Sequence, residues 1–113
     1  MTAAETRLFE KSSVQVVQIW ADLKMLLGTL GSVTYEIKKT SIHCMKTSGI
    51  LGIHPKKSWL DVNIVLDRSL TGLVDCKVEQ VSKNRYHNEV RLKEKDDIIG
   101  ISEFVKESFM KGK

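Results

Sequence analysis

Few side chains in this sequence have the chemistry to act on a substrate. His43 stands beside Cys44, and in a cysteine hydrolase an imidazole next to a thiol deprotonates it. Neighbouring strand positions point to opposite faces, however, and Ile42 and Cys44 share the apolar parity, so a direct His43–Cys44 couple is geometrically poor. His87 and Glu89 alternate against Val90 and Leu92, which puts them on the polar side with His43, Asp61, Asn63 and Lys77. Should strand order bring His43, Asp61, His87 and Glu89 together, they would offer a metal or acid/base site. Neither His-x-x-x-His nor His-Glu-x-x-His spacing accompanies them.

Asp96 and Asp97 have the form of paired catalytic carboxylates or magnesium ligands, but they open an apolar-periodic segment, where a helix favours a cap and a negative first turn. Gly49-x-x-Gly52 superficially resembles a phosphate-clamping loop, yet Ile50 and Leu51 occupy positions where such loops carry polar or basic residues. A Walker motif, a dinucleotide fingerprint and a nucleophile elbow are all missing. Phosphotransfer and hydrolase assignments therefore lose their usual support. The expectation is a non-enzymatic chain without a cofactor.

A binding surface is better supported. Trp59 shares parity with Asp61 and Asn63, and Lys56, Lys57 and Lys46 are expected nearby; an exposed aromatic beside lysines can anchor a protein or stack a base. The candidate surface comprises His43, Lys56, Lys57 and Trp59, together with Asp61, Asn63, His87 and Glu89 on the polar strand faces. Net charge is +4, with residues 36 to 60 holding Lys38, Lys39, Lys46, Lys56 and Lys57 against Glu36 alone. With Arg85, these lysines form the alternative interface, one for nucleic acid. Lysine outnumbers arginine and stacked ribonucleoprotein aromatics are absent, which weakens base reading.

The elements that must position these residues follow from periodicity. Val16, Ile19, Trp20, Leu23, Leu26, Leu27 and Leu30 recur at helical spacing, predicting a helix over 14–30 with Ser12 and Gln15 at its start and Gly31 as its stop. Leu8 and Phe9 are expected to pack back on it. Alternation predicts strands at 33–38, 41–47, 60–67, 74–79 and 89–93, whereas two glycines and Pro55 mark 48–55 as a turn with an irregular end. A final helix from Asp96-Asp97 carries Ile98, Ile101, Phe104, Val105 and Phe109. Each strand has a polar and an apolar face, which disfavours a parallel sheet covered on both sides. The expected fold is α+β: a two-layer sandwich whose largely antiparallel five-stranded sheet packs the N- and C-terminal helices on one face.

The chain's 113 residues, 42% hydrophobic and 28% charged, suit one domain spanning 1–113 and argue against disorder. Cys44 and Cys76 lack metal or redox spacing and read as small apolar thiols in a reducing compartment. No segment has secretory or membrane-spanning character, so a cytoplasmic location without a membrane partner is expected.

The order of Leu8-Phe9, the helix ending in Leu30-Gly31, Lys39-Thr40-Ser41-Ile42 and Tyr86-His87-Asn88-Glu89-Val90-Arg91-Leu92 resembles an uncharacterised bacterial domain-of-unknown-function family, number 5655. The resemblance implies an α+β fold, an accessory binding or interaction role, and no established activity. Asn88-Glu89 depart from the histidine character expected before Val90, and no catalytic residue carries over. The leading expectation is a protein-binding module that uses the polar sheet face, with self-association as a homodimer one form of it.

Overall fold

In the computed structural model, which describes residues 1–70 and 76–111, three helices flank a six-stranded sheet. The chain runs α1 (Ala3–Leu8), α2 (Val14–Leu30), β1 (Thr34–Ile37), β2 (Ile42–Met45), β3 (Gly49–Pro55), β4 (Leu60–Leu66), β5 (Cys76–Ser82), β6 (Arg85–Leu92) and α3 (Asp97–Lys111). The strand order is β1-β2-β3-β4-β6-β5, antiparallel at every pairing. The expected α+β architecture is present, with six strands rather than five. The added strand is β3, which the glycines and proline of 48–55 disguised as a turn. Gly49 and Pro55 lie at its two ends, and only Gly52 interrupts its interior. Val74 and Asp75, read as the start of a strand, lie outside the described residues.

Parity separates the two faces. On β4, Leu60, Val62 and Ile64 are fully buried, and with Ile42, Cys44, Ile53, Val90 and Leu92 they form the sheet's share of one core. Val16, Ile19, Trp20, Leu23 and Leu27 of α2 and Ile101, Val105 and Phe109 of α3 supply the helical share. Leu26 and Leu30 sit at the margin of the predicted stripe and are only partly buried. Phe9 is buried and stacks on Trp20 at 6.2 Å between ring centroids, so the chain before α2 does fold back upon it.

The boundaries of α2 are set locally. Ser13, not Ser12, caps it: its hydroxyl accepts from the Val16 amide at 3.3 Å. Ser12 instead donates to the Lys56 carbonyl at 2.7 Å, and Gln15 donates to the Lys93 carbonyl at 3.0 Å rather than reaching back to a cap. At the other end Gly31 has φ +149°, and a Cβ there would lie 2.8 Å from Cζ of Phe109. The backbone conformation calls for glycine, and an added side chain would also have to push aside the tip of the Phe109 ring. At the start of α3 the Asp97 carboxylate accepts from the Lys93 and Glu94 amides at 2.7 and 2.9 Å, so it closes the preceding turn instead of capping its own helix.

Strand β5 lies beyond β6 and runs parallel to β4, with Leu66 opposite Tyr86 and Cys76 opposite Val90, so β4 and β5 are joined by a crossover connection and not by a hairpin. Asn88, fully buried on the core side of β6, holds the first part of that connection: its Oδ1 accepts from the Leu70 amide at 2.7 Å, and its Nδ2 donates to the Ile64 and Arg68 carbonyls. Ser108 docks α3 on the sheet, its hydroxyl 2.9 Å from the Ile50 carbonyl oxygen and 2.7 Å from that of Val65.

Candidate functional site

With both long helices on the apolar face, the opposite face is the one left for polar side chains, and the register shows which of them are neighbours. One row of directly opposed residues crosses the whole sheet: Glu36 faces His43, His43 faces Gly52, Gly52 faces Asn63, Asn63 faces Glu89, and Glu89 faces Lys77. Opposed Cβ atoms in antiparallel strands are about 5 Å apart, so these are side-chain contacts in the making. Gly52 opens a gap in the row. A Cβ there would lie 3.4 Å from that of Asn63, so the two strands approach closely over it.

Flanking rows complete the surface. His54 faces Asp61 and Asp61 faces Arg91 on one side; Val65 faces His87 and His87 faces Glu79 on the other. Together His54, Asn63, Lys77, Glu79, His87 and Glu89 line a depression of about 320 Å³. Three polar atoms on or beside this face are buried without a hydrogen-bond partner among the described residues: Asn63 Oδ1, His87 Nε2 and Trp59 Nε1. Burial pushes the His87 imidazole below its ordinary range, the nearby Arg85 cation adds to that, and Glu79 opposes it. A neutral imidazole then presents one donor and one acceptor nitrogen.

The structure divides the candidate surface. Asn63, His87 and Glu89 do converge. Asp61 and Trp59 form a separate group joined by Arg91, whose Nε lies 3.4 Å from Asp61 Oδ1 and whose guanidinium sits 4.2 Å from the Trp59 ring centroid. One face of Trp59 is thus already occupied, and the indole is half-buried rather than an open stacking platform. His43 is exposed and separated from Asn63 by Gly52. His43, Asp61, His87 and Glu89 stand in three different rows and make no common acid/base or metal cluster.

The lysines scatter. Lys46 leaves the Trp59 patch entirely: its ammonium donates to the Phe109 carbonyl at 3.2 Å and lies 4.4 Å from that ring's centroid. Lys38 pairs with Glu36, and Arg85 lines a different depression with Asn84. Lys56 and Lys57, on the β3–β4 turn, meet Arg7, Lys11 and Lys39 around a third depression of about 430 Å³ in which Glu10 is the one acid. His54, Glu79 and Arg91 were missed from sequence. His54 lay in the segment taken for a turn, while Arg91 and Glu79 shared the wet parity and could have been added on that signal alone.

Cys44 is buried, and desolvation pushes its thiol up to about 12; Cys76 is half-buried, with its thiol also raised by burial. No helix among the described residues is long and apolar enough to cross a membrane.

No curated protein and no solved structure matches the chain. A family model described as "Domain of unknown function (DUF5655)" matches residues 5–112. That span starts at Glu5, which ties α1 to α2, and runs through every strand and the whole of α3, so it takes in the entire polar face. The chain is a member of the DUF5655 family.

Proposed function

We infer that the chain is a cytoplasmic protein-binding module whose working surface is the polar face of the sheet, centred on the depression between β3 and β5. The observation that carries this reading is the convergence of Asn63, His87 and Glu89 with His54, Lys77 and Glu79 around one depression on the face opposite the two long helices. The surrounding Lys77, Glu79 and Glu89 carry both signs of charge and suit a polar peptide surface better than an apolar ligand. Unpaired Cys44 and Cys76 fit a reducing compartment. The test is affinity capture followed by quantitative mass spectrometry with wild type, Asn63→Ala, Trp59→Ala and a control variant on the helical layer, Ser102→Ala. A partner retained by wild type and control but lost by both face variants supports the reading. Equal recovery across all four removes it.

A second reading, nucleic-acid binding, is favoured by the third depression. Arg7, Lys11, Lys39, Lys56 and Lys57 gather there from three separate segments, and among the described residues none of them pairs with a carboxylate. Five unneutralised cations suit a phosphodiester backbone. Oligonucleotide affinity should then fall steeply with salt and vanish in Lys56→Glu/Lys57→Glu; no binding at low salt excludes it.

A further inference from the structure

Strand β5 is the outer strand of the sheet, paired on one side with β6 and with no described strand on the other. From Lys77 through Ser82 every residue is exposed, including Val78 and Val81 at 41% and 48%. An edge of this length presents a row of backbone donors and acceptors ready to pair. The opposite edge, β1, has four residues only.

We propose that β5 pairs antiparallel with β5 of a second copy, about a two-fold axis through Val78, joining two sheets into one. Register selects this pairing. In an antiparallel pair, residues directly opposed lie on the same face, and a two-fold axis perpendicular to the sheet can pass only through a residue position, so each choice of centre fixes all the pairs. Centring on Val78 sets Lys77 against Glu79 of the partner and Glu79 against the partner's Lys77, two opposite-charge pairs on the polar face. The same register sets Val78 on its own copy across the core-side face, and Cys76 against Gln80. Centring on Lys77 or Glu79 sets like charges directly opposed, and centring on Gln80 or Val81 would run the pairs through the irregular end of the strand. Among the described residues neither Lys77 nor Glu79 has an ion-pair partner within its own chain. The β5 irregularity falls between Gln80 and Ser82, so the pleat from Cys76 to Gln80 is unbroken where the pairs form.

This arrangement leaves both helical layers on one side and both polar faces on the other, with the two depressions that Lys77 and Glu79 line brought next to each other. It goes beyond the protein-binding reading and does not depend on it, since an edge dimer forms whether or not the polar face takes a further partner. Five facing residues per strand make a contact smaller than a permanent dimer buries, so the association is a concentration-dependent equilibrium.

Sedimentation equilibrium on the full chain tests it, with thermal melts confirming that each variant folds. The wild type is expected to dimerise reversibly. Lys77→Glu and Glu79→Lys should each weaken the dimer on the order of tenfold by opposing like charges twice, and the double variant should return to near wild-type affinity. Independently, Val78→Cys in a Cys76→Ser background should form a disulfide-linked dimer under mild oxidation. A chain that stays monomeric up to about 1 mM, well above the range of specific weak complexes, overturns the proposal. A dimer that the double variant does not restore, or that Val78→Cys does not cross-link, overturns it equally. Trp59→Ala and Asn63→Ala should leave the dimer intact, which separates its failure from that of the polar-face reading.

Discussion

Glu5 carries a charge into a site that is 4% exposed, and three donors answer it: the Trp20 indole N–H at 3.0 Å, the Lys24 ammonium at 3.1 Å and the Thr2 hydroxyl at 3.5 Å. Burial alone would push this carboxyl up, but the indole bond and the Lys24 cation outweigh it and hold the group below its ordinary range. A depressed carboxylate contributes stability that is fully present above its unfolded value and is lost as pH falls through the folded one. Glu5→Gln should therefore flatten the decline in urea-measured stability between about pH 5 and pH 3. Glu5→Ala should cost about 2–3 kcal/mol at neutral pH, because it strands the Trp20 N–H. Asn88 offers the comparable case without charge. Two of its three hydrogen bonds, to Leu70 and Arg68, hold a chain segment that has no strand or helix of its own, and the third ties it to β4, so Asn88→Ala should cost about 3 kcal/mol in chemical denaturation and raise amide exchange at Leu70. Its sequence signal was its parity: Asn88 occupies the same apolar side as Val90 and Leu92, and a polar residue in a core position asks for a local backbone to hold.

At the level of elements, α2 was legible to the residue, because a seven-residue apolar stripe and a terminal glycine leave little choice of bounds. The five strands predicted from alternation were legible for the same reason. β3 was not, since Gly52 and Pro55 are the residues that most often interrupt strands. What rescues it is invisible in one dimension: Gly52 lies under the close approach of Asn63, and Pro55 stands at the strand's last position. The error propagated to the site, because losing β3 loses His54 and the neighbour relation between His43 and Asn63. The polar parity of His87, Glu89, Asp61 and Asn63 survived it, as parity is a property of each strand alone, while convergence is a property of strand order. Gly31 gives a test at this scale. Gly31→Ala must adopt φ near +149° and displace Phe109, and should cost about 2–3 kcal/mol by thermal or urea unfolding. The companion Phe109→Leu should recover the steric share of that loss and leave the backbone share.

Over the whole molecule, the two thiols report on two kinds of opening. With its thiol at about 12, Cys44 holds roughly one part in ten thousand as thiolate at pH 8, and it is fully buried in the core. Cys44 should react with a thiol reagent only as fast as the molecule unfolds globally, whereas the half-buried Cys76 should react in the native state, more slowly than a free thiol. Denaturant that lowers global stability should accelerate the first and barely change the second. The order of the strands carries a consequence for synthesis. β6, next to last in the chain, is the neighbour of β4, and α3 closes the core that α2 opens. A nascent chain emerging from the ribosome therefore waits with the flank of β4 bare and half of its interior wet until the final helix clears the exit tunnel. Acquisition of the native state is bound to await α3, and loss of only the last turns of that helix should leave a chaperone client instead of a slightly weakened domain.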